Sequence, residues 1–344
     1  MNLLTNPYRG MGLNHPDLDP MPWPSTDAAR PRALLDRCPE ARKTPLVQAP
    51  QLASRAGVAR FDIKDERGRM GLGSFKALGA AYVIARDAEE GRAKGATYVA
   101  ASAGNHGLSV AAGARVFGAR AVIYLARTVP EAFAARLRSE GAEVVREGEI
   151  YEASMEAAAR AAEVNGWCLL SDSSWPGYYE RPHVLMEGYL ALMEETIAAL
   201  EAPPTHIFLQ AGVGGLAAAA AALARVAWGD APQIIVVEPE AAPALFASIM
   251  AGGPVVADGP VSAMGRLDCK EPSLIALKGL ARDADIFMTI SEEEAASGLA
   301  ETEAAGLPST PSGAAGIAGC LSGAGELGLG PGARVLCILS EGPE

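Results

Sequence analysis

The sequence predicts an α/β protein built on mostly parallel strands. Short apolar runs of three to six residues alternate with longer, alanine-rich helical stretches along nearly the whole chain. Two of those runs lead straight into turns rich in glycine, serine or asparagine that open helices, as strand-to-helix crossovers do. Hydrophobic residues make up 49% and charged residues 20% of the chain, the balance of an ordinary globular protein. A length of 344 residues allows one large or two moderate domains with a substantial core.

Residues 1–32 are proline-rich, show little periodicity, and read as an extended arm lying over the surface or reaching toward a partner subunit. A homodimer is the expected assembly. The first core strand spans 60–64 and leads into MGLGSFKALGAAY, residues 70–82, where Lys76 stands out. Six lysines face twenty-three arginines in this chain, so a general need for positive charge has been met with arginine. An amine at a weakly polar helix start, after Ser74 and Phe75, can be desolvated enough to act as a nucleophile or form a Schiff base. The alternative is an ordinary helix whose lysine snorkels to solvent.

Strand 97–101 runs into Ser102, Ala103, Gly104, Asn105 and His106, which open a helix of small residues. Free N–H groups, a hydroxyl and an amide at such a turn make a cradle for a carboxylate; the plainer reading is a helix cap set by Ser102 or Asn105. Strands 121–125, 143–146 and 168–170 follow, then Asp172 in SDSSWPGYYE, which serves either as an acid-base group or as a cap on the turn before Trp175. Pro203-Pro204 is the clearest break in the chain.

Strand 206–210 enters Gly212, Val213, Gly214 and Gly215 and then a long alanine-rich helix. Backbone amides at a helix N-terminus suit an anion, and a phosphate is the natural guest. Because Gly212, Gly214 and Ala217 also fit G-x-G-x-x-A, and Glu238 ends the next strand, 233–238, a dinucleotide site and an NAD-dependent dehydrogenase are a competing reading. Strands 286–290 and 334–339 complete the set, and the last ends at Ser340.

A net charge of −12 argues against a nucleic-acid or anionic-membrane partner. Five scattered cysteines without a C-x-x-C pair and only four histidines give no reason to expect a metal centre, and fit reduced thiols in a cytoplasm. The N-terminus lacks the pattern of a secretory signal. The most apolar run, 211–224, is too short for a membrane span.

An amine, a carboxylate cradle and a phosphate cradle, each opening a helix, together describe an amino acid condensed with a phosphorylated aldehyde. These residues resemble the pyridoxal-phosphate enzymes of fold type II, from 44 onward. Ser74-Phe75-Lys76 is similar to that family's S-F-K and Ser102 to His106 to its S-x-G-N-H loop; Gly212 to Gly215 resemble its phosphate loop. The resemblance implies two domains, each an open, mostly parallel sheet flanked by helices, with pyridoxal 5'-phosphate in the cleft between them. It implies a large cofactor domain of 1–80 and 190–344 and a small substrate-loop domain of 81–189. Lys76 becomes the Schiff-base lysine, with Phe75 beside it. Asn105 stands beside the cofactor hydroxyl and Ser340 at the pyridine nitrogen, while Ser102, Ala103, Gly104 and His106 bind a small amino-acid substrate.

Within that group the chain most resembles the diaminopropionate ammonia-lyases. Asp172, Trp175, Gly177 and Tyr178, followed by Met186, Gly188 and Tyr189, resemble their D-x-x-W-x-G-Y and M-x-G-Y stretches, and MGRLDCKEPS is a further shared run. Two positions depart: Ala103 stands where those lyases carry aspartate, and Thr310 where related dehydratases often carry glutamate. The resemblance implies α,β-elimination on a β-substituted amino acid, most directly 2,3-diaminopropionate, with Lys76 and Asp172 as acid-base groups and selectivity for the L form. A serine, threonine or hydroxyaspartate dehydratase, or a β-replacement enzyme, shares the same fold and cofactor.

Overall fold

The computed structural model describes residues 1–343. Among these residues eleven strands form two sheets: β1 Asn2–Thr5, β2 Leu46–Gln48, β3 Arg60–Asp65, β4 Thr97–Ala101, β5 Arg120–Leu125, β6 Glu143–Arg146, β7 Cys168–Leu169, β8 His206–Gln210, β9 Gln233–Pro239, β10 Ile286–Ile290 and β11 Arg334–Leu339. All nine strands expected from the sequence are present, each to within one residue at either end. β6 and β7 are only partly buried, whereas the central residues of the other seven are buried on both faces, as in Ile234 to Val237 and Val335 to Leu339. That burial is why they read as continuous apolar runs.

The two strands the sequence did not reveal, β1 and β2, are antiparallel edges of the large sheet. Short, half-exposed edge strands need neither a long apolar run nor a strict alternation. β1 also anchors the start of the N-terminal arm. Its first residues pair with β10 of the same chain, and the Asn6 side chain donates to the carbonyls of Ala281 and Ala284 at 2.9 and 2.6 Å. Further along, Lys278 Nζ donates to the Leu18 and Met21 carbonyls, and Trp23 lies under the cations of Lys278 and Arg282. The arm is fastened to its own chain.

The large sheet has the order β1-β10-β9-β8-β11-β3-β2 and the small one β6-β5-β4-β7, parallel except at the two edges of the large sheet. From β8 the chain steps outward to β9 and β10, whereas β11 and β3 lie on its other side. β4 likewise leads to β5 and β6, and β7 returns to its opposite edge. Each sheet therefore has a topological switch point, β8/β11 in one and β4/β7 in the other. Ligands of open α/β sheets bind outside the carboxyl ends of strands at such points. Among the described residues no helix is long and apolar enough to cross a membrane. The run 211–224 falls in a loop and in the helix Gly215–Trp228, whose alanines 217 to 222 are all buried in the core.

Candidate active site

Lys76 sits on a single 3-10 turn, Phe75–Leu78. The approach to it is a sharply bent segment in which Met70, Gly71 and Gly73 all adopt positive φ; glycine relieves the strain at two of the three. The Phe75 N–H donates to the Ser340 carbonyl at 3.0 Å, so the lysine turn is tied to the end of β11. Behind it runs the helix Glu180–Ala199. A Cβ on Gly188 would stand 2.2 Å from the Leu78 carbonyl oxygen, so only glycine lets this helix reach the lysine turn. The M-x-G-Y stretch is thus a packing device, and it places Tyr189 edge-on to Phe75 at 4.9 Å between ring centroids.

Lys76 Nζ donates to Asp172 Oδ2 at 2.5 Å, and both side chains are about one-fifth exposed. Burial alone would depress the Lys76 ammonium; the Asp172 carboxylate outweighs it and holds the amine above the ordinary lysine range. Burial pushes Asp172 upward, but the charge of Lys76 and then of His106 pulls it below the ordinary carboxylate range. Asp172 lies just past β7, on a loop pinned by the D-x-x-W-x-G-Y stretch. Trp175 and Tyr178 stack at 4.3 Å, Gly177 takes φ +84°, and the Tyr178 hydroxyl accepts from Ser171 N and donates to the Leu169 carbonyl, both at 3.0 Å. The Asp172 carboxylate is directed at the lysine, away from the turn it was equally suited to cap.

The other sequence-marked residues gather at the same strand ends. Past β4, Gly104 N donates to Ser102 Oγ at 3.3 Å and the helix Asn105–Val116 begins. Ala103 packs against the main core. The His106 ring is buried, with Nε2 2.8 Å from the Leu170 carbonyl and Nδ1 without a partner; burial lowers its pKa. Asn105 Nδ2 donates to Glu341 Oε2 at 2.5 Å. Past β8, Gly214 takes φ +95° and caps the helix Gly215–Trp228. A Cβ on Gly212 would lie 3.0 Å from Cys269 Sγ, and the Val213 carbonyl accepts from Ser273 N at 3.0 Å. Ser340, buried past β11, donates its N–H to the Gly313 carbonyl at 3.3 Å.

Four residues at the site were given no role from the sequence. Tyr189 is 2% exposed and its hydroxyl makes no hydrogen bond of normal geometry. The Cys269 thiol, beside Gly212, is pushed up to about 12 by burial and then by the charge of Asp172. Glu341 and Arg266 are ion-paired at 3.1 Å. Tyr189, Arg266 and Cys269 all lie in stretches whose pattern was visible, but no spacing rule says which member of such a stretch faces a site. Glu238 moves the other way. It is fully buried and its carboxylate accepts the N–H groups of Leu245 and Phe246, both at 2.7 Å, with burial pushing its pKa up to about 8. Spent on capping the helix Ala244–Ala251, it has nothing to offer a ribose.

Residues 38–341 match the family model for pyridoxal-phosphate dependent enzymes. The chain belongs to that family. A diaminopropionate ammonia-lyase of Salmonella typhimurium is 32% identical over 296 residues, 78% of this chain and 73% of the relative. The L-serine dehydratase/L-threonine deaminase of Homo sapiens is 32% identical over 260 residues, 75% of each chain. Among solved structures, the diaminopropionate ammonia lyase from Escherichia coli in complex with D-serine matches with a TM-score of 0.89 and 26% identity, covering 99% of this chain and 93% of that one. The protein is a pyridoxal-phosphate-dependent lyase of the ammonia-lyase group, with the two-sheet architecture of fold type II.

The residues present fit the cofactor. The lyase has an amine on a turn at one switch point, a glycine-lined helix N-terminus that a Cβ would crowd, and buried Tyr189 and His106 atoms without partners beside the amine. Gly214→Asp tests the glycine loop. Its Cβ would meet Ala276 and Leu245 at 3.0 Å, which costs some thermal stability, and its carboxylate would face an incoming phosphate. Cofactor binding to the apoprotein should weaken by about 100-fold, whereas Gly214→Ala, which shares the strain but not the charge, should lose about 10-fold. Equal losses in the two variants, read by titration with pyridoxal phosphate, would place the phosphate elsewhere.

Proposed function

We propose that the protein eliminates the β-substituent of a small amino acid, converting 2,3-diaminopropionate to pyruvate and ammonia and acting on the L form. The observation that carries this is the direct contact between Lys76 and Asp172, which sets two acid-base groups at facing switch points. Pyridoxal phosphate, when bound, supplies the electron sink that makes loss of the Cα proton and of the β-substituent accessible. Lys76 holds it, with Phe75 supporting the turn. The amides of Gly212, Val213, Gly214 and Gly215 receive its phosphate, Asn105 its ring hydroxyl and Ser340 its pyridine nitrogen. A neutral Ser340 hydroxyl does not enforce a charged pyridine as a carboxylate would, which favours elimination over transamination. The turn formed by Ser102, Ala103, Gly104 and His106 takes the substrate carboxylate.

The Cα protons of D and L substrates point to opposite sides of the cofactor plane, and one fixed group does not reach both. Asp172 serves one side. On the other, Ala103 offers no proton acceptor, so a single enantiomer is processed. The test is to assay both enantiomers of diaminopropionate with wild type and with Ala103→Asp. Wild type should act on L alone and Ala103→Asp should gain D activity; comparable wild-type rates on D and L would refute the one-sided site.

A second reading, a serine, threonine or hydroxyaspartate dehydratase or a β-replacement enzyme, draws on Ala103, Thr310 and the likeness to the serine/threonine enzyme. Products separate the two: two ammonia equivalents per ketoacid mark the diamine, one marks a hydroxy amino acid, and a new amino acid marks replacement. We read 81–189, which contains the small sheet, as the substrate-loop domain, and 1–80 with 190–344 as the cofactor domain. The assembly and setting we infer are a homodimer in the cytoplasm, in keeping with five unbridged cysteines.

A further inference from the structure

One buried carboxylate at the site has no part in the roles above. Glu341 follows Ser340 and is 4% exposed, and its backbone forms an isolated antiparallel bridge with Ser74, two residues before Lys76. Its side chain accepts from Asn105 Nδ2 at 2.5 Å, from Thr310 Oγ1, and from Arg266 Nη1 at 3.3 Å. Arg266 itself stands against the carboxylate cradle, since a Cβ on Gly104 would be 3.6 Å from its Nε. A buried carboxylate is costly unless its oxygens are satisfied. Here Asn105, Thr310 and Arg266 reach it from three different segments of the site.

The bond to Asn105 has a specific consequence. An amide nitrogen carries two N–H groups, and Glu341 takes one of them. That fixes the plane of the amide and leaves the second N–H and Oδ1 in a defined orientation.

We propose that Glu341 is a positioning residue for Asn105: it locks the Asn105 amide so that the remaining N–H is presented to the ring oxygen of the cofactor. Thr310 and Arg266 hold the carboxylate in turn, which gives the departure at Thr310 a role, because a glutamate there would set a second negative charge against Glu341. The inference rests on the reading of Asn105 as the residue beside that oxygen.

A double-mutant cycle on the apoprotein, titrated with pyridoxal phosphate, tests it. Asn105→Ala and Glu341→Ala should each weaken binding by about 10-fold, and the double variant should also lose about 10-fold, because two groups acting as one unit are not additive. Glu341→Gln keeps an acceptor for Asn105 and should stay within about threefold of wild type, since only the charge toward Arg266 is lost. The bound cofactor's visible absorbance band in Glu341→Ala should match that in Asn105→Ala. Should Glu341→Ala not fold, Glu341→Met, of similar volume and without a comparable acceptor, replaces it in the cycle. Wild-type affinity in Asn105→Ala would sink the reading of Asn105 itself. An impaired Asn105→Ala beside an unimpaired Glu341→Ala, or a double variant weakened by about 100-fold, the product of two independent effects, would overturn the positioning role.

Discussion

Lys76→Ala should purify colourless and without measurable lyase activity, because one side chain supplies both the covalent anchor and a base. The other five lysines offer no substitute. Lys64 is buried in an ion pair with Glu195 at 2.7 Å and bonded to the Thr44 carbonyl. Lys270 is held by Asp268 and two carbonyls, and Lys278 by the N-terminal arm. Lys43 and Lys94 are exposed. The fold should survive with a melting temperature lower by a few degrees, since Asp172 loses its partner but remains partly hydrated. Borohydride reduction of the wild type followed by peptide mapping checks the anchor, and label recovered on any other lysine would overturn the assignment.

Asp172→Asn should lower kcat/KM on L-diaminopropionate by about 10²- to 10⁴-fold, the range over which a positioned general base acts. Asparagine keeps the volume and a hydrogen bond to Lys76 and removes only the charge and the basicity. Undiminished activity on the L form would refute the role. The same substitution should change the pH dependence of apoprotein stability. The folded pKa of Asp172 is depressed, so its contribution is present above the unfolded value, about 3.9, and is lost as pH falls through the folded one. The folded pKa of Lys76 is raised, so its contribution is complete below the unfolded value, about 10.4, and is lost only at higher pH. The pair therefore stabilises the apoprotein throughout the neutral range. Asp172→Asn should melt below wild type at pH 7, and the gap should close as the pH drops below about 4.

Most of the nine strands were legible in the sequence because a parallel strand covered on both faces is largely apolar, and the glycine loop because only glycine allows a close backbone approach at a helix start. Lys76 was legible by contrast with a chain that otherwise uses arginine. The sequence alone thus determined the α/β class, the alternation of elements and the stretches that carry the chemistry.

Three matters were decided only by the tertiary structure. The arm of residues 1–32 gave no apolar pattern, and its course depends on a strand pairing with β10 nearly three hundred residues away. Glu238 occupies the place of a ribose ligand in the linear pattern, yet the helix that follows turns two N–H groups onto it and uses it up. Asp172 could have capped its own turn; the meeting of two sheets at their switch points brings it 2.5 Å from Lys76. Local patterns record which face of a segment is buried and where the backbone must bend. Which two loops face each other depends on strand order and on contacts between residues far apart in the chain, and these leave no periodic trace in the sequence.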